Sequence, residues 1–277
     1  MKIDAHQHFW KYSPEEYIWI NDEMQVLKRD YLPEDLKPQV IKYGFHGTVA
    51  VQARQSFAET RWLLGLAEKN EFIKGVVGWV DLCSGKLEDQ LSEFLSDAKF
   101  TGVRHVLQDE PDDFFMLRDE FLEGIRLLQK FNLTYDILIF AKHLPQTRDF
   151  VKLFPDQIFV LDHIAKPEIK HKRLSPWKEN IVKLAQLENV YCKLSGIVTE
   201  ADWLNWKVED FRPYIETVLD AFGTGRLMIG SDWPVCRLAG NYADIMEIPD
   251  KFLSGLSIHE RNAIFGLNAI KVYHLEL

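Results

Sequence analysis

The chain has 277 residues, 47% of them hydrophobic and 27% charged, with a net charge of −9. This is the composition of a globular protein with material for a large core, which excludes an extended disordered chain. The acidic balance, without any lysine or arginine block, gives nucleic acid no electrostatic footing.

No run of about 18 apolar residues could span a bilayer and no apolar leader precedes the first motif. The sequence therefore predicts a soluble, unprocessed protein with neither nucleic acid nor membrane as partner. Cys83, Cys192 and Cys236 are far apart and in no C-x-x-C arrangement, which argues against a disulfide framework or thiolate zinc site and for a cytoplasmic location. The length fits one large α/β barrel or two domains. Without a linker or shift in composition, the expectation is one domain over residues 1–277.

Residues 4–10, Asp-Ala-His-Gln-His-Phe-Trp, end a short buried strand. Strict alternation places Asp4, His6 and His8 on one face. Taken alone, a His-x-His also fits a solvated strand or a hydrogen-bonded structural pair. Residues 11–38 follow, rich in aromatic and acidic side chains such as Tyr12, Tyr17, Trp19, Asp22, Glu23 and Tyr31. A segment this long between elements predicts a functional loop or lid, whose aromatics either pack against a small ring or seal a barrel end.

Apolar, β-branched runs and helical patterns then alternate. Strand-like runs cover 47–54, 73–81, 102–107, 134–140, 158–163, 190–195 and 226–231. Helical patterns cover 59–70, 87–98, part of 115–131, 144–154, 176–187 and 208–222, and 256–277 adds one or two closing helices. Eight strand–helix units with helical crossovers predict a parallel sheet. Lacking a Gly-x-Gly-x-x-Gly, they favour a closed (β/α)8 TIM barrel over an open dinucleotide-type sheet.

A barrel of this kind works at the C-terminal ends of its strands. Those ends offer His6 and His8, Gln52 and Arg54, Asp81, Arg104 and His105, His163 and Lys166, Lys193 and Ser195, and Asp232. Each has a structural explanation: His163 beside Asp162 as a core pair, Lys193 as partner of a buried carboxylate, Asp232 as a helix cap. Together, His6, His8, His163 and Asp232 make a far more specific set.

With residues 51–53, 75–81, 102–104, 161–167, 191–196 and 230–234, the opening motif resembles the sugar-lactonase branch of the amidohydrolase superfamily, which includes L-fuconolactonase-like and L-rhamnonolactonase-like enzymes. The resemblance spans nearly the whole chain. It implies a (β/α)8 barrel with His6, His8, His163 and Asp232 at the heart of the site and as the ligands of any divalent metal, zinc foremost.

A two-metal centre needs a bridging carboxylate near strand four, which here carries Gly-Val-Arg-His. Strand five supplies no histidine before His143. The resemblance therefore implies either no cofactor or one divalent ion.

The reaction implied is ring opening of a lactone by water, with Asp232 as general base. His6, His8 and His163 either polarise the carbonyl directly or hold the ion that does so. Arg104, then Arg54, Lys166 and Lys193, are expected to bind substrate oxygens, with Trp10 and Trp19 packing on the ring. The aromatic early segment favours a neutral sugar lactone over a dicarboxylate, which demands arginine anchors. The alternatives are a 2-pyrone-4,6-dicarboxylate-type lactonase and a metal-dependent decarboxylase. The intact set of histidines and Asp232 argues against a non-catalytic module, and a homo-oligomer is compatible with the sequence.

Overall fold

The structure, a computed structural model, describes residues 1–276. Eight parallel strands, β1 (Ile3–Gln7), β2 (Gly47–Val51), β3 (Ile73–Gly78), β4 (Phe100–His105), β5 (Thr134–Ile137), β6 (Phe159–Leu161), β7 (Val190–Leu194) and β8 (Leu227–Ile229), pair in sequence order. β8 returns to β1 through a bridge between Gln7 and Trp233. There the Asp232 N–H donates to the His6 carbonyl (2.8 Å) and the His8 N–H to the Trp233 carbonyl (2.6 Å). The seam that closes the barrel is thus made by residues flanking, or belonging to, the expected site.

The helices α1 (Pro33–Lys42), α2 (Phe57–Lys69), α3 (Leu87–Phe94), α4 (Asp119–Lys130), α5 (Leu144–Lys152), α6 (Trp177–Ala185), α7 (Arg212–Phe222) and α8 (Tyr242–Phe252) follow the strands in turn. α4 illustrates why they form and where they pack. Phe121, Ile125 and Leu128 recur at helical spacing and are fully buried, each such burial contributing roughly 2–3 kcal/mol. Asn241 caps α8 by accepting from the Ala243 and Asp244 N–H groups. No described helix is long and apolar enough to cross a membrane.

A second apolar cluster lies within the sheet: Ile3, Ala5, Val49, Val51, Val77, Val160, Tyr191 and Met228, plugged by Ala269, Val272, Tyr273 and Leu275. The plug belongs to the closing segment, which runs through α9 (Ile258–Asn262), a π turn (Ala263–Leu267) and α10 (Asn268–Val272). The barrel therefore has a sealed N-terminal end, leaving chemistry to the other.

Three expectations need correction. Several strands stop short of their polar ends, at Gly78, Leu161, Leu194 and Ile229, because the chain turns out of the ladder before the polar side chains are presented. The lid-like segment is shorter than 11–38: a 3-10 turn occupies Asp22–Leu27, and Pro38 lies inside α1, which opens on Pro33.

The third concerns Asp4, which does not share a face with His6 and His8. The register of β1 on β2 shifts between Asp4 and Gln7. Ile3 and Ala5 stay in the inner cluster, while Asp4 accepts from the Ser231 N–H (2.8 Å) and from Tyr242 Oη of α8 (3.1 Å). An irregularity of this kind re-aims the following side chains, and His6 and His8 turn into the barrel.

Candidate active site

Three imidazoles and one carboxylate converge at the open end. His6 Nε2 lies 3.1 Å from His8 Nε2, and Asp232 Oδ1 lies 3.3 Å from His8 Nε2, 3.8 Å from His6 Nε2 and 3.9 Å from His163 Nε2. All four residues are buried. Backbone and side-chain partners fix the rings from behind. His8 Nδ1 is 2.7 Å from the Val51 carbonyl, His163 Nδ1 is 2.9 Å from Ser195 Oγ, and His6 Nδ1 is 3.3 Å from Asp162 Oδ1.

Those partners decide the proton positions. The Val51 carbonyl can only accept, so His8 Nδ1 carries the hydrogen and His8 Nε2 is bare. The bare His8 Nε2 and an Asp232 oxygen then face each other at 3.3 Å, an arrangement that repels itself unless a proton or cation lies between. Zinc bonds of about 2.0–2.1 Å in a tetrahedron set neighbouring ligands roughly 3.4 Å apart. His6, His8 and Asp232 lie close enough together to hold one divalent ion, with His163 Nε2 3.9 Å from the same Asp232 oxygen.

Burial pushes His163 down to about 4 against the pull of Asp232, and pushes His6 well below its ordinary value. Burial by itself would raise the Asp232 carboxyl, but His163, with His8 and His6 close beside it, outweighs burial and holds the group below the usual carboxylate range. At neutral pH His6 and His163 are neutral and Asp232 is ionised.

The local backbone is strained to make this possible. His163, Ile164, Ala165, Lys166 and Asp232 all have φ between 48° and 61°, which costs on the order of 1 kcal/mol or more for each residue. Trp177 Nε1 holds the Ile164 carbonyl at 2.7 Å. Two glycines give the rings room: a Cβ on Gly196 would collide with the His163 ring, and one on Gly230 would meet His6 Cβ at 2.6 Å.

Directly behind His6 lies a second polar layer. Arg104 Nη1 and Lys193 Nζ each sit 3.0 Å from an oxygen of Asp162, and Lys193 also pairs with Asp136. Tyr273 Oη donates to Asp136 (2.9 Å), and Arg104 also donates to the Gln52 carbonyl. Arg104 Nη1 reaches to 3.4 Å from His6 Nε2, and Lys193 Nζ to 3.2 Å from His6 Nδ1.

Of the expected substrate contacts, Arg104 and Lys193 thus belong to the framework touching His6. Lys166 is half-buried with Nζ 5.5 Å from the Phe140 ring centre. Arg54 is engaged by Glu16 and Glu59. Trp10 is fully buried, its Nε1 on the Arg29 carbonyl (2.9 Å), and the half-buried Trp19 donates to the Ala53 carbonyl (3.1 Å). These two rings pack on each other rather than on the imidazoles. His143 turns to Asp113, 3.0 Å away.

Asp136, Asp162, Tyr273 and Glu200 were not singled out from sequence. Glu200 feels both Lys166 and Asp232, and burial pushes its carboxyl up. A carboxylate inside a strand otherwise buried on both faces, as Asp136 is, was the available signal.

The amidohydrolase family model matches residues 3–275. An L-fucono-1,5-lactonase of Burkholderia multivorans is 40% identical over 99% of this chain and 96% of its own length, and one from Burkholderia ambifaria is 38% identical over the same shares. A crystal structure of a B. multivorans amidohydrolase with bound zinc superposes with a TM-score of 0.96 at 40% identity, covering all of both chains. On the matched span and these full-length relatives, the chain belongs to the amidohydrolase family.

Proposed function

We propose that this chain hydrolyses the ring ester of a sugar lactone of the L-fucono-1,5-lactone type, giving the aldonic acid. The observation that carries the reading is the meeting of the His6 and His8 Nε2 atoms with the Asp232 carboxylate at the open end of the barrel, with His163 Nε2 3.9 Å from the same carboxylate oxygen. The curated lactonase relatives supply the substrate class. The match from residue 3 to 275 supports treating the whole chain as one barrel domain. Free cysteines suit a reducing cytoplasm.

Asp232, ionised and within hydrogen-bonding range of the histidine cluster, takes a proton from the attacking water as its oxygen bonds to the carbonyl carbon. As the ring carbon–oxygen bond breaks, the same proton returns from Asp232 to the ring oxygen, leaving a hydroxyl and a carboxylic acid. His6, His8, His163 and Asp232 are the residues that would hold a divalent ion such as zinc, which supplies Lewis acidity for the carbonyl and water. Arg104, held by Asp162 and the Gln52 carbonyl, keeps a fixed positive charge beside His6 and so helps position that ring from below. The strained turn at 163–166 and the β1 irregularity hold the rings in place before substrate arrives.

A pH-indicator assay over aldono-1,5- and aldono-1,4-lactones, with and without chelator and added zinc, tests this. The expected result is turnover of L-fucono-1,5-lactone with loss on chelation and recovery with zinc. Carbon dioxide release from a carboxylated substrate, with no lactone turned over, would overturn the assignment in favour of a decarboxylase. Full activity in metal-free enzyme would remove the ion.

A further inference from the structure

A well-formed cleft lies away from the imidazoles. It has a volume of about 480 Å³ and lies on the flank of the barrel, between α1 and the segment running from Trp233 into α8. None of His6, His8, His163 or Asp232 lines it. Its volume is that of a small-molecule site.

The walls have a consistent chemistry. Arg29, Lys42 and Arg237 contribute three positive charges against the single carboxylate of Asp35. Arg29 meets Asp35 only at 3.7 Å. Among the described residues no carboxylate lies within ion-pair distance of Lys42 or Arg237, and the Arg237 guanidinium is instead hydrogen-bonded to Tyr31 Oη at 3.2 Å. Arg29 and Arg237 approach the same Tyr31 ring, at 4.4 and 5.5 Å from its centre, although 208 residues separate them. In a chain whose net charge is −9, this is a local excess of positive charge. Trp233, Tyr43 and Tyr242 supply aromatic wall.

We propose that the cleft between α1 and α8 binds a small organic anion carrying a flat ring, at a site separate from the catalytic centre. The guanidiniums and Lys42 take the anionic group, with the planar fork of arginine suited to either carboxylate or phosphate. The aromatic wall takes the ring. The ligand would touch the residues that close the barrel, since the Trp233 carbonyl accepts from the His8 N–H and Tyr242 Oη donates to Asp4.

Isothermal titration with phenylacetate, phenyl phosphate, inorganic phosphate and benzyl alcohol tests the proposal without reference to turnover. At least one ring-bearing anion is expected to bind, more weakly as salt is raised, and the carboxylate and phosphate arms tell which group is preferred. R237A and K42A should each weaken binding about ten- to a hundredfold, the range for losing one charge-assisted contact, while the lactone kcat/KM measured without probe stays at wild type. The proposal is overturned if neither anion binds, if benzyl alcohol binds as tightly, if inorganic phosphate matches phenyl phosphate, or if the two variants bind like wild type.

Discussion

Two polar layers share the interior of the barrel. In the lower one, two carboxylates, Asp136 and Asp162, face two cations, Lys193 and Arg104, with Tyr273 adding a hydroxyl donor. The count of charges closes, as a buried layer requires. In the upper layer two acceptors, His8 Nε2 and the Asp232 carboxylate, face each other with the His6 and His163 rings beside them. A matched layer holds a shape; an unmatched one is waiting for a proton, an ion or a substrate. Substitutions should separate the two, activity answering to the upper layer and stability to the lower.

The largest effect belongs to Asp232. D232N keeps the size of the side chain but removes the proton acceptor, so kcat on the lactone should fall roughly 10²–10⁴-fold, the usual worth of a positioned acid–base group. Its melting temperature should stay close to wild type, because the acceptor crowding is relieved. A near-wild-type rate would remove Asp232 as the base.

Lys193 should behave in the opposite sense. K193M leaves Asp136 and Asp162 facing each other without the ammonium between them, and losing one partner of a buried ion pair costs about 3–5 kcal/mol. Denaturant unfolding measures it. A loss of activity with unchanged stability would place Lys193 in the chemistry instead.

Glu59 shows a buried carboxylate at the mouth that belongs to neither layer. It accepts from the Ala53 and Arg54 N–H groups, both at 2.9 Å, and from Tyr17 Oη at 3.3 Å, tying the early segment to the end of β2. Burial pushes its carboxyl from 4.5 up to about 7, against those hydrogen bonds and Arg54. The folded chain therefore holds a proton there that the unfolded chain has already released. The stability it contributes is full below pH 4.5 and is lost as pH rises toward 7, on the order of 3 kcal/mol. E59Q should flatten that part of the stability-against-pH curve, measured by unfolding from pH 4.5 to 7.5. An unchanged slope would show that other groups set it.

The barrel was legible because eight apolar strand runs alternate with helical patterns, a signal that survives errors of several residues at each boundary. His6, His8, His163 and Asp232 were legible as candidates because each stands just where such a run ends. What failed was local geometry. Asp4 was placed by strict alternation, and a register shift in β1 turned it toward α8. Trp10 donates to the Arg29 carbonyl and Arg54 pairs with Glu16 and Glu59, contacts across distances in sequence that no pattern encodes. The lower layer was missed for the same reason, since Asp136 and Tyr273 meet over 137 positions.

That last contact gives the finest test of the separation. Tyr273 sits on the plug at the sealed end and reaches Asp136 with its hydroxyl, while Asp136 reaches His6 only through Lys193. Y273F keeps the ring, and so the packing of the plug, but deletes one donor to a carboxylate that burial pushes up to about 6. Thermal or denaturant unfolding should show a loss of about 1.5–3 kcal/mol, the worth of a hydrogen bond to a charged group. If the lower layer only holds shape, kcat and KM on the lactone stay unchanged. A tenfold fall in kcat with KM unchanged would instead mean that the proton position on His6 is set from the bottom of the barrel, and that the two layers work as one.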